Sequence, residues 1–148
     1  MRRALEQARL AAAHGDVPVG CVIAGPDGTL LAEGRNRREE ARSALAHAEL
    51  EAIGAACRAL GSRRLERCAL FVTLEPCPMC AGAILNARIP EVFFGAAEPH
   101  SGCCGSVLDL FAEGFGFHPA VYGGLLEAEC GGVLSDFFRH ARRDSIRN

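Results

Sequence analysis

The order of apolar and turn-forming segments predicts an α/β protein, a three-layer α/β/α sandwich built on a mixed sheet of about five strands. Three observations carry that prediction. Apolar runs of strand length alternate with segments of helical periodicity. A Pro26-Asp27-Gly28 turn joins two strands as a hairpin, so the sheet cannot be purely parallel. One strand, residues 69–74, runs directly into a helix that opens at Pro76-Cys77-Pro78.

The elements follow in order. Leu5, Ala8, Leu10 and Ala12-Ala13 belong to an opening amphipathic helix that starts at Met1. Residues 17–24 read as a buried strand and residues 29–36 as its hairpin partner. A helix is expected over residues 47–60, stopped by Gly61, and the strand at 69–74 comes next. Pro76 and Pro78 suit a helix start, where a missing N–H costs little. Residues 91–95 give a fourth strand, 121–123 a short fifth, and 128–143 a closing helix with apolar residues at helical spacing. No repeat, linker or low-complexity segment interrupts this order, so one domain is expected over residues 1–148.

Composition narrows the class. With 49% hydrophobic residues and a net charge of −2, the chain carries enough apolar material for a core and is neither disordered nor membrane-bound. No stretch approaches the apolar length that spans a bilayer, and the N-terminus lacks a signal-peptide hydrophobic segment; a cytoplasmic protein is expected. Eight cysteines would suggest a disulfide framework only in a short secreted chain. Cys21, Cys57, Cys68 and Cys130 instead sit among apolar or small residues, as structural thiols do. The adjacent Cys103-Cys104 pair, between Gly102 and Gly105, reads as small-residue packing in a tight loop, with a redox switch as the other reading.

The chemistry lies in His47-Ala48-Glu49 and Pro76-Cys77-Pro78-Met79-Cys80. Together they supply three metal ligands, His47, Cys77 and Cys80, and one carboxylate that has no need to touch the metal. Three protein ligands leave the fourth tetrahedral position of Zn²⁺ open for water, and Glu49 can move that water's protons. Cys77 and Cys80, three apart, share one helical face, where the helix's positive end favours the thiolates that bind metal. His47 and Glu49, two apart, reach one pocket only if they sit at a helix's first turn. A C-x-x-C run alone also serves redox motifs and structural zinc sites. A structural site usually needs a fourth protein ligand, which is not obvious here, and a redox role leaves His47 and Glu49 without work. The joint H-x-E…P-C-x-x-C pattern is a signature of zinc-dependent deaminases.

Further segments carry a resemblance. Asp16-Val17-Pro18-Val19-Gly20, Asn36-Arg37, Ala46-His47-Ala48-Glu49, the run from Thr73-Leu74-Glu75-Pro76-Cys77 to Cys80-Ala81-Gly82-Ala83, Ala87-Arg88-Ile89, Gly105-Ser106 and Ser135-Asp136-Phe137-Phe138-Arg139 together resemble the bacterial tRNA adenosine deaminase (TadA) family, within the cytidine deaminase-like superfamily. The likeness spans nearly the whole chain. It implies a cytidine deaminase-like fold, one zinc ion per subunit held by His47, Cys77 and Cys80, and Glu49 as the proton shuttle. It also implies a homodimer that converts adenosine to inosine at the wobble position of a tRNA anticodon stem-loop, typically an arginine tRNA with an ACG anticodon.

The resemblance carries substrate contacts as well. Asn36 matches an asparagine that hydrogen-bonds the flipped nucleotide, although asparagine also commonly ends a strand. Ala48 offers backbone to the base, and Glu98 can accept a ribose hydroxyl. Phe137 and Phe138 match an aromatic pair of which one can lie beside the anticodon and one in the core; stacking on unpaired bases is a common way to hold RNA. Arg139 belongs to the same ending and to one of three arginine clusters, Arg35-Arg37-Arg38, Arg63-Arg64-Arg67 and Arg139-Arg142-Arg143; all sixteen basic residues are arginine. Such patches suit phosphate, but charge runs are usually solvated faces, and the overall acidic balance argues against broad nucleic-acid affinity. Ser43-Ala44-Leu45, Glu98-Pro99-His100 and Cys103-Cys104 depart from the family pattern and bear on substrate identity more than on chemistry. A small-molecule deaminase acting on guanine, cytosine or a free nucleoside would share the same zinc and glutamate.

Overall fold

The sheet is organised around the predicted hairpin. The computed structural model describes residues 1–146. Strands β1 (Gly20–Ala24) and β2 (Leu30–Arg35) pair antiparallel across a turn in which Gly28, at φ +79°, donates its N–H to the Gly25 carbonyl at 2.9 Å. The Asp27 carboxylate fixes the same turn by accepting from the Thr29 N–H at 3.0 Å. β1 also pairs antiparallel with β3 (Ala69–Leu74), whose other neighbour, β4 (Glu91–Ala96), is parallel, as is β5 (Ala120–Tyr122) beside β4. The order is β2-β1-β3-β4-β5, a mixed five-stranded sheet as expected.

Helices cover both faces. α1 (Arg2–Ala13) and α5 (Glu127–Ile146) lie on one side, α3 (Ala48–Leu60) and α4 (Pro78–Ala87) on the other, and a short α2 (Arg38–Ala41) follows β2. Glycines set how closely the layers approach. A Cβ on Gly20 would overlap the α1 backbone at Ala4 and Ala8, and one on Gly34 would overlap the α3 backbone at Ala48 and Ala52. Gly34 pairs with Cys21, one position along from Gly20, so the two glycines admit helices on opposite faces of the hairpin. The main core lies between the sheet and the α3–α4 layer, with Ile23, Leu70, Val72 and Val92 against Ala52, Ile53 and Ile84. A smaller cluster of Leu5, Ala96 and Cys130 joins α1 and α5.

Several boundaries differ from the sequence expectation. The first strand begins at Gly20, not at residue 17: Pro18 has no N–H to give a ladder, and the Val19 N–H turns back to the Val17 carbonyl at 2.8 Å. Residues 17–19 are thereby freed from the sheet. β2 stops at Arg35, leaving Asn36 just beyond the strand. The unexpected α2 is held by buried Asp16, whose carboxylate accepts from the Glu39 and Glu40 N–H groups at 2.8 and 3.2 Å. α5 is longer than expected, yet from Gly131 to Arg143 its side chains are half-buried or exposed. Between β4 and β5 the chain needs no crossover helix; residues 97–119 form a long loop with a single 3₁₀ turn, Leu110–Ala112. Loops of that length inside a compact fold are usually functional. All eight cysteines are free thiols; Cys103 is buried in this loop and Cys104 half-buried, in keeping with packing in a tight loop.

The close approach at Gly34 makes a prediction. Gly34→Ala forces β2 away from α3 and lowers stability by about 1–3 kcal/mol in urea denaturation. Gly132→Ala, exposed on α5 with nothing near its missing Cβ, raises stability by roughly 0.5–1 kcal/mol.

Candidate active site

Two helices begin side by side at the carboxyl end of β3. His47 is the N-cap of α3 and Cys77 the N-cap of α4, both in extended conformation, and neither side chain makes the usual capping hydrogen bond to its own first turn. They face each other instead. His47 Nδ1 lies 3.7 Å from Cys77 Sγ and 3.5 Å from Cys80 Sγ, and the three ligand atoms all fall within 4.8 Å of one another. Bonds of about 2.05 Å to nitrogen and about 2.3 Å to sulfur at tetrahedral angles put N and S about 3.6 Å apart, which both His47–cysteine separations match. Among the described residues no other such cluster occurs.

The local sequence explains the convergence. Pro78 at the first position of α4 fixes the turn after Cys77 and carries no N–H. Cys80, three residues later, returns to the same face and is fully buried. Hydrogen bonding from the Cys80 thiol, helped by His47 and stronger than the opposing effect of burial, holds the Cys77 thiol down to about 4. Cys80, as the donor in that pair and buried beside Glu49, is correspondingly raised, and the Cys77 thiolate keeps the His47 imidazolium favoured.

Glu49 stands two residues after His47, in the first turn of α3. It is 4% exposed, and burial lifts its carboxyl to about 7, against the pull of its own backbone N–H. A carboxyl poised there can both take and return a proton near neutral pH. It opens into a cavity of about 180 Å³ bounded by Val17, Val19, Asn36, His47 and Ala48 on one side and by Leu74, Cys77, Glu98 and Ser101 on the other. Sites for whole ligands run from about 300 Å³ upward, so this one takes a single small ring system with the rest of the substrate outside. Residues 17–19 reach it because they left the sheet.

Asn36 is the polar group best placed for a ligand. Its Nδ2 donates to the Val17 carbonyl at 3.0 Å, while its buried Oδ1 has no partner. A buried acceptor without a donor is costly unless a bound molecule completes it. The Glu98 carboxylate accepts from the His100 N–H at 2.8 Å and borders the rim. Phe137, Phe138 and Arg139 lie on α5 outside this cavity. The two rings meet edge to face at 5.5 Å, Phe138 is 43% exposed, and Arg139 faces Asp136 at 3.4 Å. The arginine clusters are partly matched by acids. Arg35 and Arg37 both face Glu40, and Arg64 faces Glu66.

Sequence reasoning assigned no role to Glu75, Ser101 or Ser106, and named Arg38 only as part of an arginine cluster. Arg38 borders the cavity. Glu75 is 2% exposed and accepts from the backbone N–H groups of Glu98, Cys104 and Ser106 at 3.0, 2.9 and 3.0 Å and from the Ser106 hydroxyl. Burial alone would raise its carboxyl, but those four donors outweigh burial and leave it below the usual carboxylate range. The signals for Glu75 in the sequence were a charged residue just past an apolar strand and its place in the run that carries the resemblance.

Comparison with known proteins agrees with this geometry. Residues 1–96 match the family model described as the cytidine and deoxycytidylate deaminase zinc-binding region. A tRNA-specific adenosine deaminase of Bacillus subtilis is 46% identical over 144 residues, 97% of this chain and 89% of the relative. A solved structure from work on A-to-I editing by tRNA:A34 deaminases at the wobble position of transfer RNA superposes with a TM-score of 0.86 at 43% identity, covering 90% of this chain and 97% of that one. A guanine deaminase from Bacillus subtilis is more distant in shape, with a TM-score of 0.61 and 42% identity over 65% of this chain and 61% of its own. With a family model over most of its length, and relatives that match it almost end to end, the chain belongs to the zinc-binding cytidine and deoxycytidylate deaminase family and, within it, to the tRNA-specific adenosine deaminases.

Proposed function

We propose that this chain, one zinc-dependent deaminase domain over residues 1–148, hydrolyses adenosine to inosine at the wobble position of tRNA, typically an arginine tRNA with an ACG anticodon. The observation that carries the reading is the buried Glu49 carboxyl opening, beside His47, Cys77 and Cys80, into a cavity sized for one base. His47, Cys77 and Cys80 hold one zinc ion per subunit. When bound, zinc supplies the Lewis acidity that makes water nucleophilic near neutral pH.

The chain's own residues move the protons. Water adds to C6 of adenine as Glu49 accepts one of its protons and delivers it to ring N1. Glu49 then transfers the remaining hydroxyl proton from the tetrahedral carbon to the amino group, C–N cleavage releases ammonia, and a C6 carbonyl remains. Asn36 completes its unpartnered Oδ1 with a donor on the flipped base or its sugar, and the Ala48 backbone borders the ring. Because the cavity holds only the base, the flanking nucleotides lie outside it. Glu98 at the rim accepts a ribose hydroxyl, and Phe137, Phe138 and Arg139 on α5 contact the anticodon stem-loop. The protein acts in the cytoplasm; no helix of the described residues is long and apolar enough to cross a membrane. It works as a homodimer. The outer face of the α3–α4 layer supports this, since Leu50, Gly54, Met79, Gly82 and Ala83 there are half-buried, small or apolar, and uncharged.

The guanine deaminase likeness makes a free base the second reading. Zinc-loaded protein is predicted to form inosine in an arginine anticodon stem-loop bearing wobble adenosine, read by sequencing, and to release no ammonia from guanine, cytosine or their nucleosides. Ammonia from a free base without inosine in the stem-loop moves the protein to the second reading. Glu49→Gln is expected to retain zinc while kcat falls by about 10²–10⁴-fold. Asn36→Ala keeps zinc and lowers kcat/KM by about 10–100-fold. Cys80→Ser, by contrast, loses the metal, read as zinc per chain by elemental analysis, and melts at a lower temperature.

A further inference from the structure

We propose that Glu75 is a positioning residue that sculpts the substrate-side loop and ties it to the metal-ligand turn; this rests on the deaminase reading above. All four acceptor directions of the Glu75 carboxylate are used, and all four donors come from one loop. Oε1 takes the Cys104 and Ser106 N–H groups, and Oε2 takes the Glu98 N–H and the Ser106 hydroxyl. The loop closes on the carboxylate from every side. A Cβ on Gly102 would overlap both the carboxylate and the Glu98 carbonyl, so only a residue without a side chain fits between Glu75 and the loop's own backbone. The Gly102 N–H donates to the Glu98 carbonyl at 2.9 Å, and the Cys103 N–H donates to the Pro76 carbonyl at 2.8 Å, beside the anchor.

The placement gives this brace a function. The same loop presents Glu98 and Ser101 to the cavity, and Glu75 precedes the ligand Cys77 by two residues with a proline between them. Later in the loop, the Asp109-capped 3₁₀ turn and buried Phe111 fix the chain, while residues 98–106, which border the cavity, gather on Glu75. The carboxylate therefore fixes the cavity rim relative to the metal ligands, and its loss loosens substrate binding while leaving the metal and Glu49 in place.

The test compares wild type, Glu75→Gln and Gly102→Ala in zinc-loaded full-length protein, by zinc content, amide hydrogen exchange and stem-loop kinetics. Glu75→Gln turns one acceptor into a donor facing N–H groups; Gly102→Ala crowds the carboxylate and the Glu98 carbonyl without changing any charge. Both variants should retain one zinc per chain, exchange the Glu98, Cys104 and Ser106 amides faster, and raise KM about tenfold with kcat within about threefold. If Glu75→Gln does not fold, Gly102→Ala carries the test. Unchanged protection of those amides, or zinc loss before any change in the loop, overturns the proposal, as does a fall in kcat with KM unchanged. If wild type makes no inosine, the deaminase reading fails, while the exchange pattern still decides whether Glu75 holds the loop.

Discussion

The site depends on one packing constraint: the first turns of two helices must meet at the end of a strand. α3 reaches that point because Gly34 lets its backbone lie directly on β2, and α4 reaches it because β3 hands over to Pro76-Cys77-Pro78 without a loop. The N-cap side chains that would ordinarily satisfy the helices' own donors are then His47 and Cys77, and they are turned on each other. Local helix stability is given up at both caps. A metal ion that bridges them recovers it, which links folding of the site to metal binding.

Two buried glutamates, 26 positions apart in the chain, divide the work by environment. Glu49 is desolvated with few donors and sits near 7, where a proton moves easily in either direction. Glu75 is desolvated too, yet four donors keep it ionised and fixed. The first is a group that must change its protonation; the second is one that must not. Their different settings follow from surroundings as well as donors: Glu49 lies deeply desolvated beside Cys77, whereas Glu75 is less deeply desolvated and meets four donors.

The fold class, the opening hairpin that makes the sheet mixed, and the residues 47, 77 and 80 were legible because each rests on local rules. Those rules are periodicity, turn chemistry, and the three-residue spacing that puts two thiols on one helix face. The resemblance singled out Asn36, but the strand was expected to include it; the structure places it just past β2 and reveals its unpartnered Oδ1. Residues 17–19 were misread as strand because Val17 and Val19 are apolar, while Pro18 between them removes the ladder donor. The roles of Asp16 and Glu75 were out of reach of local reading, because each carboxylate meets its donors more than twenty residues away. Phe137 and Phe138 illustrate the opposite limit: their pattern is clear, but α5 carries them away from the cavity, so their part depends on a partner.

Zinc K-edge absorption on the metal-loaded protein tests the central claim, an open three-ligand site, most directly. Two sulfurs at about 2.3 Å and two lighter atoms at about 2.0–2.1 Å are expected, one of the lighter atoms exchanging when a small anion is added. A third sulfur, or a coordination shell that no added anion can alter, would contradict that claim, because the metal would then be closed by protein and Glu49 would have no water to serve.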